Sequence, residues 1–273
     1  TALTGSVNDR FTSCVLGGVL VLNNGADVPK YWGGTGTLST LTGWTSTHRA
    51  KFMRSFKNYL ICGNVLKGTS RYASMVKWSH AAAPGFIPDS WDESDATKDA
   101  GELDVAETDD DLVDGLALGN TFVLYKERST FGMQYLENNL IFRLFRLPGN
   151  YGAMSQNCVA NTPNGHVVLT NDPDVVTHYA NEPRSVLQGR WRTWLESNID
   201  SANYRNSFVF ANVPKQEARD SRRHVSEEPL VTRQNGDVVR LRLLRFIAAH
   251  AGFSAAGGAP RLPQAWVVTR VGG

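Results

Sequence analysis

From Asp89 to Asp114 the chain carries twelve Asp or Glu residues and a single Lys. Carboxylates at that density could serve three chemistries: acid–base work on a glycosidic bond, a divalent-cation loop, or plain solvation. Glycoside hydrolysis needs two carboxyl groups about 5–10 Å apart across a sugar cleft. Nothing in the spacing singles out one pair among twelve. The run "DDDLVDG" (109–115) ends in Asp-Gly like a calcium loop. It does not meet the order D-x-[DN]-x-[DN]-G, because an apolar residue stands where an acid is required. The default expectation is a solvated, self-repelling loop.

Other residues capable of chemistry are scattered. None of His48, His80, His166, His178, His224 and His250 lies three or four residues from another His or Cys, so no local metal site is indicated. Ser79 and His80 are adjacent, which on a strand turns them to opposite faces and separates nucleophile from base. The G-x-S-x-G elbow, the H-E-x-x-H pair and the phosphate-binding P-loop are absent, as is the S-x-D-x-G-x-x-W box of sialidase propellers. Trp91-Asp92 occurs without an earlier Gly-His, so it is no WD repeat. Cys14, Cys62 and Cys158 form no C-x-x-C and read as small buried apolar residues. No catalytic residue, cofactor site or metal site is expected.

The elements that must carry these residues read as strands. "GGVLVLNNG", "KNYLICGN", "GNTFVLYKE", "NGHVVLTND" and "NSFVFANV" each place a short apolar run between turn residues. Anchored at Val19, Tyr59, Phe122, Val167 and Phe208, they recur at intervals of 40, 63, 45 and 41 residues. A period of about 40–45 residues with several strands per unit is the spacing of β-propeller blades. An aromatic-ended strand follows four of the anchors: "VPKYW", "MVKWS", "FGMQYL" and "VVTHY". In "MVKWS", Val76 and Trp78 share one face and Lys77 takes the other, so the run reads as the inner part of a blade. The expected class is all-β with propeller-like repeats; the alternative is a β-sandwich. The segment 45–56 offers at most a turn or two of helix, diluted by Thr and Ser.

Hydrophobic content of 41% over 273 residues supports a substantial core. No apolar run approaches the roughly 20 residues of a membrane helix, and no signal peptide is visible. The start at Thr1 implies a removed initiator Met or a missing upstream segment. Charge is uneven. Residues 219–273 hold nine Arg, no Lys and four acids, a net of +5, and the rest of the chain nets −3. The expected organisation is a propeller-like domain over 1–218, with an acidic insertion at 84–114, and an Arg/Ala/Gly-rich segment over 219–273. Arg219, Arg222, Arg223, Arg240 and Arg242 are the candidate DNA-phosphate contacts. Around 239–250 the apolar residues fit a strand or a helix equally well.

"GGVLVLNNGADVPKYW" (17–32), "FKNYLICGN" (56–64), "VKWSHAAAPGFIPDSWD" (76–92), "VDGLALGNTFVLYKERS" (113–129) and the run from "GHVVLTND" to "WLESNID" (165–200) resemble virion proteins of tailed bacteriophages. The group they are most similar to is the tail nozzle, or tail tubular, proteins of short-tailed phages, with the packaged-DNA stabilisation proteins in the same broad set. The resemblance spans about residues 15–218. It implies a non-enzymatic structural subunit of the virion tail, made in the host cytoplasm. About six copies would form a ring around the DNA-exit channel, contacting other tail or connector proteins and passing duplex DNA without reading its sequence. The loop bearing Asp89, Trp91, Asp92, Glu93 and Asp95 becomes a candidate contact with a neighbouring subunit. A glycan-binding or depolymerising tail protein on the same scaffold is the alternative. After "VPKQEA" (213–218) the chain departs from the family pattern; a shifted reading frame, a truncated gene or a different domain would each produce that change.

Overall fold

The computed structural model describes residues 3–6, 9–136, 141–162, 165–179, 182–187, 190–199 and 204–212, and the backbone of 238–241 and 264–270. Four antiparallel sheets follow one another along the chain, each a four-stranded meander. Sheet 1 holds β1 (Thr12–Leu16), β2 (Val19–Asn23), β3 (Lys30–Trp32) and β4 (Ser39–Thr40). Sheet 2 holds β5 (His48–Phe56), β6 (Tyr59–Lys67), β7 (Ser70–Trp78) and β8 (Gly101–Asp104). In sheet 3 are β9 (Leu112–Leu118), β10 (Thr121–Lys126), β11 (Thr130–Tyr135) and β12 (Phe142–Arg146). Sheet 4 comprises β13 (Val159–Thr162), β14 (Gly165–Leu169), β15 (Val175–Tyr179) and β16 (Glu182–Ser185). A helix, α1 (Arg190–Asn198), leads to β17 (Phe208–Asn212), which pairs with β19 (Gln264–Arg270); β18 (Val238–Leu241) pairs on the far side of β19. The fold is all-β, with almost no helix.

Local chemistry sets the meander. Gly17 and Gly18 both have positive φ, 57° and 88°, and form the two-residue turn between β1 and β2. Such turns need φ > 0 at both centres and match the twist of the flanking strands. Lys57 (φ 51°) and Gly119 (φ 57°) take positive φ at the first position of the two-residue turns before β6 and β10. The recurring anchors at Val19, Tyr59, Phe122 and Val167 therefore mark the second strand of each sheet, immediately after its first hairpin. Phe208 differs, because it opens the first strand of its sheet.

The first strands do the joining. β1 packs on β5, β5 on β9, β9 on β13 and β13 on β17. "MVKWS" lies on and just after the third strand of sheet 2, whereas the contacts between sheets run mainly through first strands such as β5. The segment 45–56, read as weak helix, supplies that strand. Its apolar residues alternate between two cores once it pairs with β6.

Sheets 2 and 3 bury both faces. On β6, Leu60 and Cys62 join the core shared with sheet 1, while Tyr59 and Ile61 join the core shared with sheet 3. On β10, Phe122 and Leu124 face sheet 2, and Val123 and Tyr125 face sheet 4. Strands buried on both faces read as continuous apolar runs rather than alternating ones. A two-layer sandwich leaves one face of each sheet to solvent, so that alternative does not describe sheets 2 and 3. A bulge at Asn64 (φ 56°) interrupts the β6–β7 register. There one residue of β6 stands opposite three of β7, while β5 keeps its register with β6; beyond it the facing is reversed, so Val65 packs toward sheet 1 although Tyr59 and Ile61 pack toward sheet 3.

The outward face of sheet 1 is not covered in the same way. Val15, Leu20 and Trp32 form one cross-strand row, with Val15 and Trp32 exposed. On β17, Val209 is buried against sheet 4, whereas Phe208 and Phe210 point the other way and are exposed.

Close backbone approach fixes where sheet 3 meets the lead-in to sheet 4. A Cβ on Gly152 would stand 2.1 Å from the Lys126 carbonyl oxygen, which accepts the Ala153 N–H at 3.0 Å. Gly152→Ala should therefore cost at least about 2 kcal/mol, read as a lowered midpoint in urea unfolding. An unchanged midpoint would show that this approach is not needed.

Candidate functional site

The buried polar residues gather where the first strands converge. Arg54 on β5 holds Asp114 on β9 through two parallel bonds, Nε to Oδ1 at 3.0 Å and Nη2 to Oδ2 at 2.7 Å. The Asp114 side chain is 1% exposed and that of Arg54 12%. Arg54 also donates to the Asn157 side-chain oxygen at 2.9 Å and the Ser13 carbonyl at 3.2 Å. Asp114 accepts the backbone N–H of Asn157 and of Gly115, both at 2.8 Å. Asn157, held at φ 64°, donates its amide to the Phe11 carbonyl at 2.9 Å, and its own carbonyl accepts the Val209 N–H at 2.7 Å. One ion pair thus connects β1, β5 and β9 with the lead-in to β13, and through Asn157 reaches β17. Asp114 was counted among the solvated acids. Its setting, a lone acid between Val113 and Leu116 on a strand, was the available signal that it is buried.

The acidic segment is only partly a loop. Residues 101–104 form β8, and β9 begins at Leu112. Several of its acids meet lysines. Lys77 is buried and bonds both Glu93 and Glu102, the latter at 3.1 Å. Lys67 reaches Glu102 at 2.7 Å and Glu93 at 3.6 Å. Burial opposes the charge on Glu93, but bonds from Lys77 and the charge of Lys67 hold its pKa down at about 2. The turn over residues 105–110, which leads into the calcium-like run, encloses a lysine. The fully buried Lys126 donates to the Val105 carbonyl at 2.9 Å and to the Thr108 carbonyl and hydroxyl at 2.6 and 2.9 Å, with Asp110 at 3.4 Å. The expectation of a free, self-repelling loop is corrected for Glu93, Glu102 and Asp110, which neutralise lysines from sheets 2 and 3; Asp92, Asp104, Glu107 and Asp109 are exposed, as a solvated stretch would be.

The candidate contact residues divide. Trp91 is turned inward, 3% exposed, with its ring edge-on to Trp44 at 4.8 Å. Glu93 is spent on Lys77. Asp89 pairs with Lys98 at 2.7 Å and remains exposed. Asp92 and Asp95 accept from Ser94 and Thr97, at 2.6 Å from each hydroxyl. Ser79 donates to the His80 carbonyl and accepts the Leu60 N–H, so its hydroxyl is held by backbone. His80 Nδ1 accepts the Asp99 N–H at 3.0 Å and so carries no proton there. Its approach to the Asp99 carboxylate is therefore no ion pair. Burial pushes the Cys62 and Cys158 thiols up to about 12 and Cys14 to about 11, far from reactive thiolates. Among the described residues, no cluster of three or more His, Cys, Asp or Glu is placed to hold a metal ion, and no helix is long and apolar enough to cross a membrane.

Arg219, Arg222, Arg223 and Arg242 lie outside the described residues, as do His224 and His250. Arg240 lies on β18, where the backbone is extended.

Between sheets 3 and 4 lies a buried aromatic–histidine chain. His166 Nε2 faces the Ala117 carbonyl at 2.9 Å, so it carries the proton, and Nδ1 accepts the Tyr125 hydroxyl at 2.8 Å. The His178 Nδ1 stands 3.5 Å from the same hydroxyl, while its buried Nε2 has no partner among the described residues. The Tyr151 ring packs on His178. Burial pushes His166 down to about 4, and the neighbouring His178 adds to this; the Ala117 carbonyl and Asp114 oppose it. Burial also lowers His178.

A solvent-open cavity of about 330 Å³ separates the lead-in to β1 from β17, lined by Arg10, Phe11, Asn157, Phe208 and Phe210 among others. The Arg10 Nε is buried and has no partner among the described residues. No model of a known protein family matches the chain, and no curated protein matches it.

Asp114→Asn should cost roughly 3–5 kcal/mol, since it strands a desolvated guanidinium. Replacing both partners with Arg54→Met and Asp114→Leu should recover part of that loss. A double variant less stable than Asp114→Asn would contradict this account. The histidines predict a second effect. Above the ordinary histidine pKa of 6.5, folded and unfolded chains are both neutral at His166. As the pH falls from there toward about 4, only the unfolded chain takes the proton, and stability drops by up to about 3 kcal/mol. Glu93 acts only lower, between its ordinary 4.5 and about 2. His166→Asn should flatten the upper window in thermal melts; an unaltered pH profile would remove His166 as its cause.

Proposed function

We propose that the chain is a structural component of a bacteriophage tail, a subunit that assembles with its own copies around the channel through which DNA leaves the capsid. The observation that carries this reading is the succession of meander sheets joined through their first strands. It is the pattern of consecutive propeller blades, and it coincides with the segments that resemble tail nozzle proteins. On this reading the propeller-like body extends to about residue 218, and the Arg-rich end is a separate segment.

The titratable groups favour scaffolding over chemistry. Lys77, Lys126, Arg54 and Asp114 bind strands to one another, and His166 and Tyr125 join two sheets. Each is fixed by internal partners in a way that resists movement. Duplex DNA would pass a surface without strong cationic grip, because tight phosphate binding slows transit. The net −3 of residues 1–218 agrees with that.

Negative-stain micrographs of the purified full chain, with light scattering, test the proposal. Ring-shaped oligomers with an axial opening, and antibody labelling at the capsid vertex of the source phage, are the expected results. A chain that stays monomeric at all concentrations and cleaves a polysaccharide would overturn it.

A further inference from the structure

Phe86 is the most exposed large apolar side chain described, at 68%. It is also rigidly presented. The Phe86 N–H donates to the Ala83 carbonyl at 3.0 Å, Pro84 takes the second position of the turn, and Gly85 takes the third with φ +81°. That is a type II turn, in which proline fixes one dihedral and glycine supplies the positive φ. The turn abuts the β1–β2 hairpin: a Cβ on Gly17 would stand 3.0 Å from the Gly85 nitrogen. A phenyl ring held out on such a support is pre-organised for insertion.

The cavity at the start of β1 has the complementary form. Its aromatic wall is Phe11 with the stacked pair Phe208 and Phe210, whose ring centroids are 6.1 Å apart. All three are between 41% and 49% exposed. A cavity of about 150 Å³ already takes a benzene ring, so 330 Å³ takes a phenyl group and its backbone neighbours but not a further sheet. The unpartnered Arg10 Nε at the cavity calls for an acceptor. The segment after the Phe86 turn offers exposed Asp89 and Asp92.

Ring and cavity cannot meet within one chain. Gly17, against the turn, and Phe11, at the cavity, lie at opposite ends of β1, about 20 Å apart at the rise of a strand. We propose that Phe86 of one copy inserts into the Phe11–Phe208–Phe210 cavity of a second copy, with a carboxylate of the acidic loop meeting Arg10. The contact is heterologous: each copy offers a knob at one place and a socket at another, which generates a ring where the rotation closes. This rests on the assembly reading above and names its contact.

Complementary variants test it. Phe86→Ser keeps the socket and loses the knob; Phe11→Asp keeps the knob and spoils the socket. Both residues are exposed, and far-UV circular dichroism checks that each variant keeps its strands. Light scattering should show each variant's self-association weakened by roughly thirtyfold or more. An equimolar mixture should form a 1:1 dimer that grows no further, since one knob and one socket remain. The proposal fails if either variant assembles like the wild-type chain, or if the mixture stays monomeric. Loss of assembly in Phe11→Asp alone means that another part of the second copy fills the socket, and it too overturns the proposal. A wild-type chain that assembles unaffected by both changes leaves the tail-subunit reading standing; a monomeric wild-type chain removes both.

Discussion

The bidentate pair between Arg54 and Asp114 is the constraint on which the arrangement of sheets depends. Removing two charges from water costs several kcal/mol per ion, and mutual attraction offsets this only when the remaining donors and acceptors are also satisfied. Here they are met by Ser13, Asn157 and Gly115. A shift of any one first strand by a single residue would leave a charged group facing carbon. The pair is thus a poor source of net stability and a strong selector of one alignment. Hydrophobic contacts between sheets tolerate sliding, whereas this geometry does not.

Buried lysines extend the same logic outward. Lys126 is enclosed by the 105–110 turn, and Lys77 is roofed by Glu93 and Glu102. Each uses a cation from one strand to fold an otherwise unpatterned connection back onto the sheets. The long connection between β7 and β8 enters the core shared by sheets 1 and 2, where Trp91 meets Trp44. It is anchored by charge at one point and by that ring pair at another. Glu93, Glu102 and Asp110 thus meet lysines of sheets 2 and 3, and Asp114 meets Arg54.

Much of the fold was legible because hairpin chemistry is local. Gly17-Gly18 and Gly119-Asn120 announce turns, and the apolar runs after them announce strands. What stayed hidden depends on partners distant in sequence. β5 breaks up its apolar residues with Arg, Lys and Ser and has no run of its own; its extended form comes from pairing with β6 and from packing on β1 and β9. The Arg54–Asp114 pair joins residues 60 apart, and no spacing rule connects them. Asp114 was obscured by its acidic neighbours, although its position inside a strand set it apart from Asp109–Asp111. Trp91 was read as part of an exposed loop because the flanking acids dominated that view of the segment.

A succession of sheets that each bury both faces must come to an end, and repeat proteins commonly end on a polar cap. This chain's described sheets do not. Sheet 1 turns Val15 and Trp32 outward, and β17 turns Phe208 and Phe210 outward. The bridge from Asn157 to Phe11 and Val209 draws these two surfaces toward the same cavity. The hub that fixes the interior therefore also decides how the two terminal faces stand to each other. Asn157 lines the cavity and is held by the same Arg54–Asp114 pair that joins β5 and β9. Interior alignment and outward fit are then one structural property, set by a single buried arginine and the residues that satisfy it.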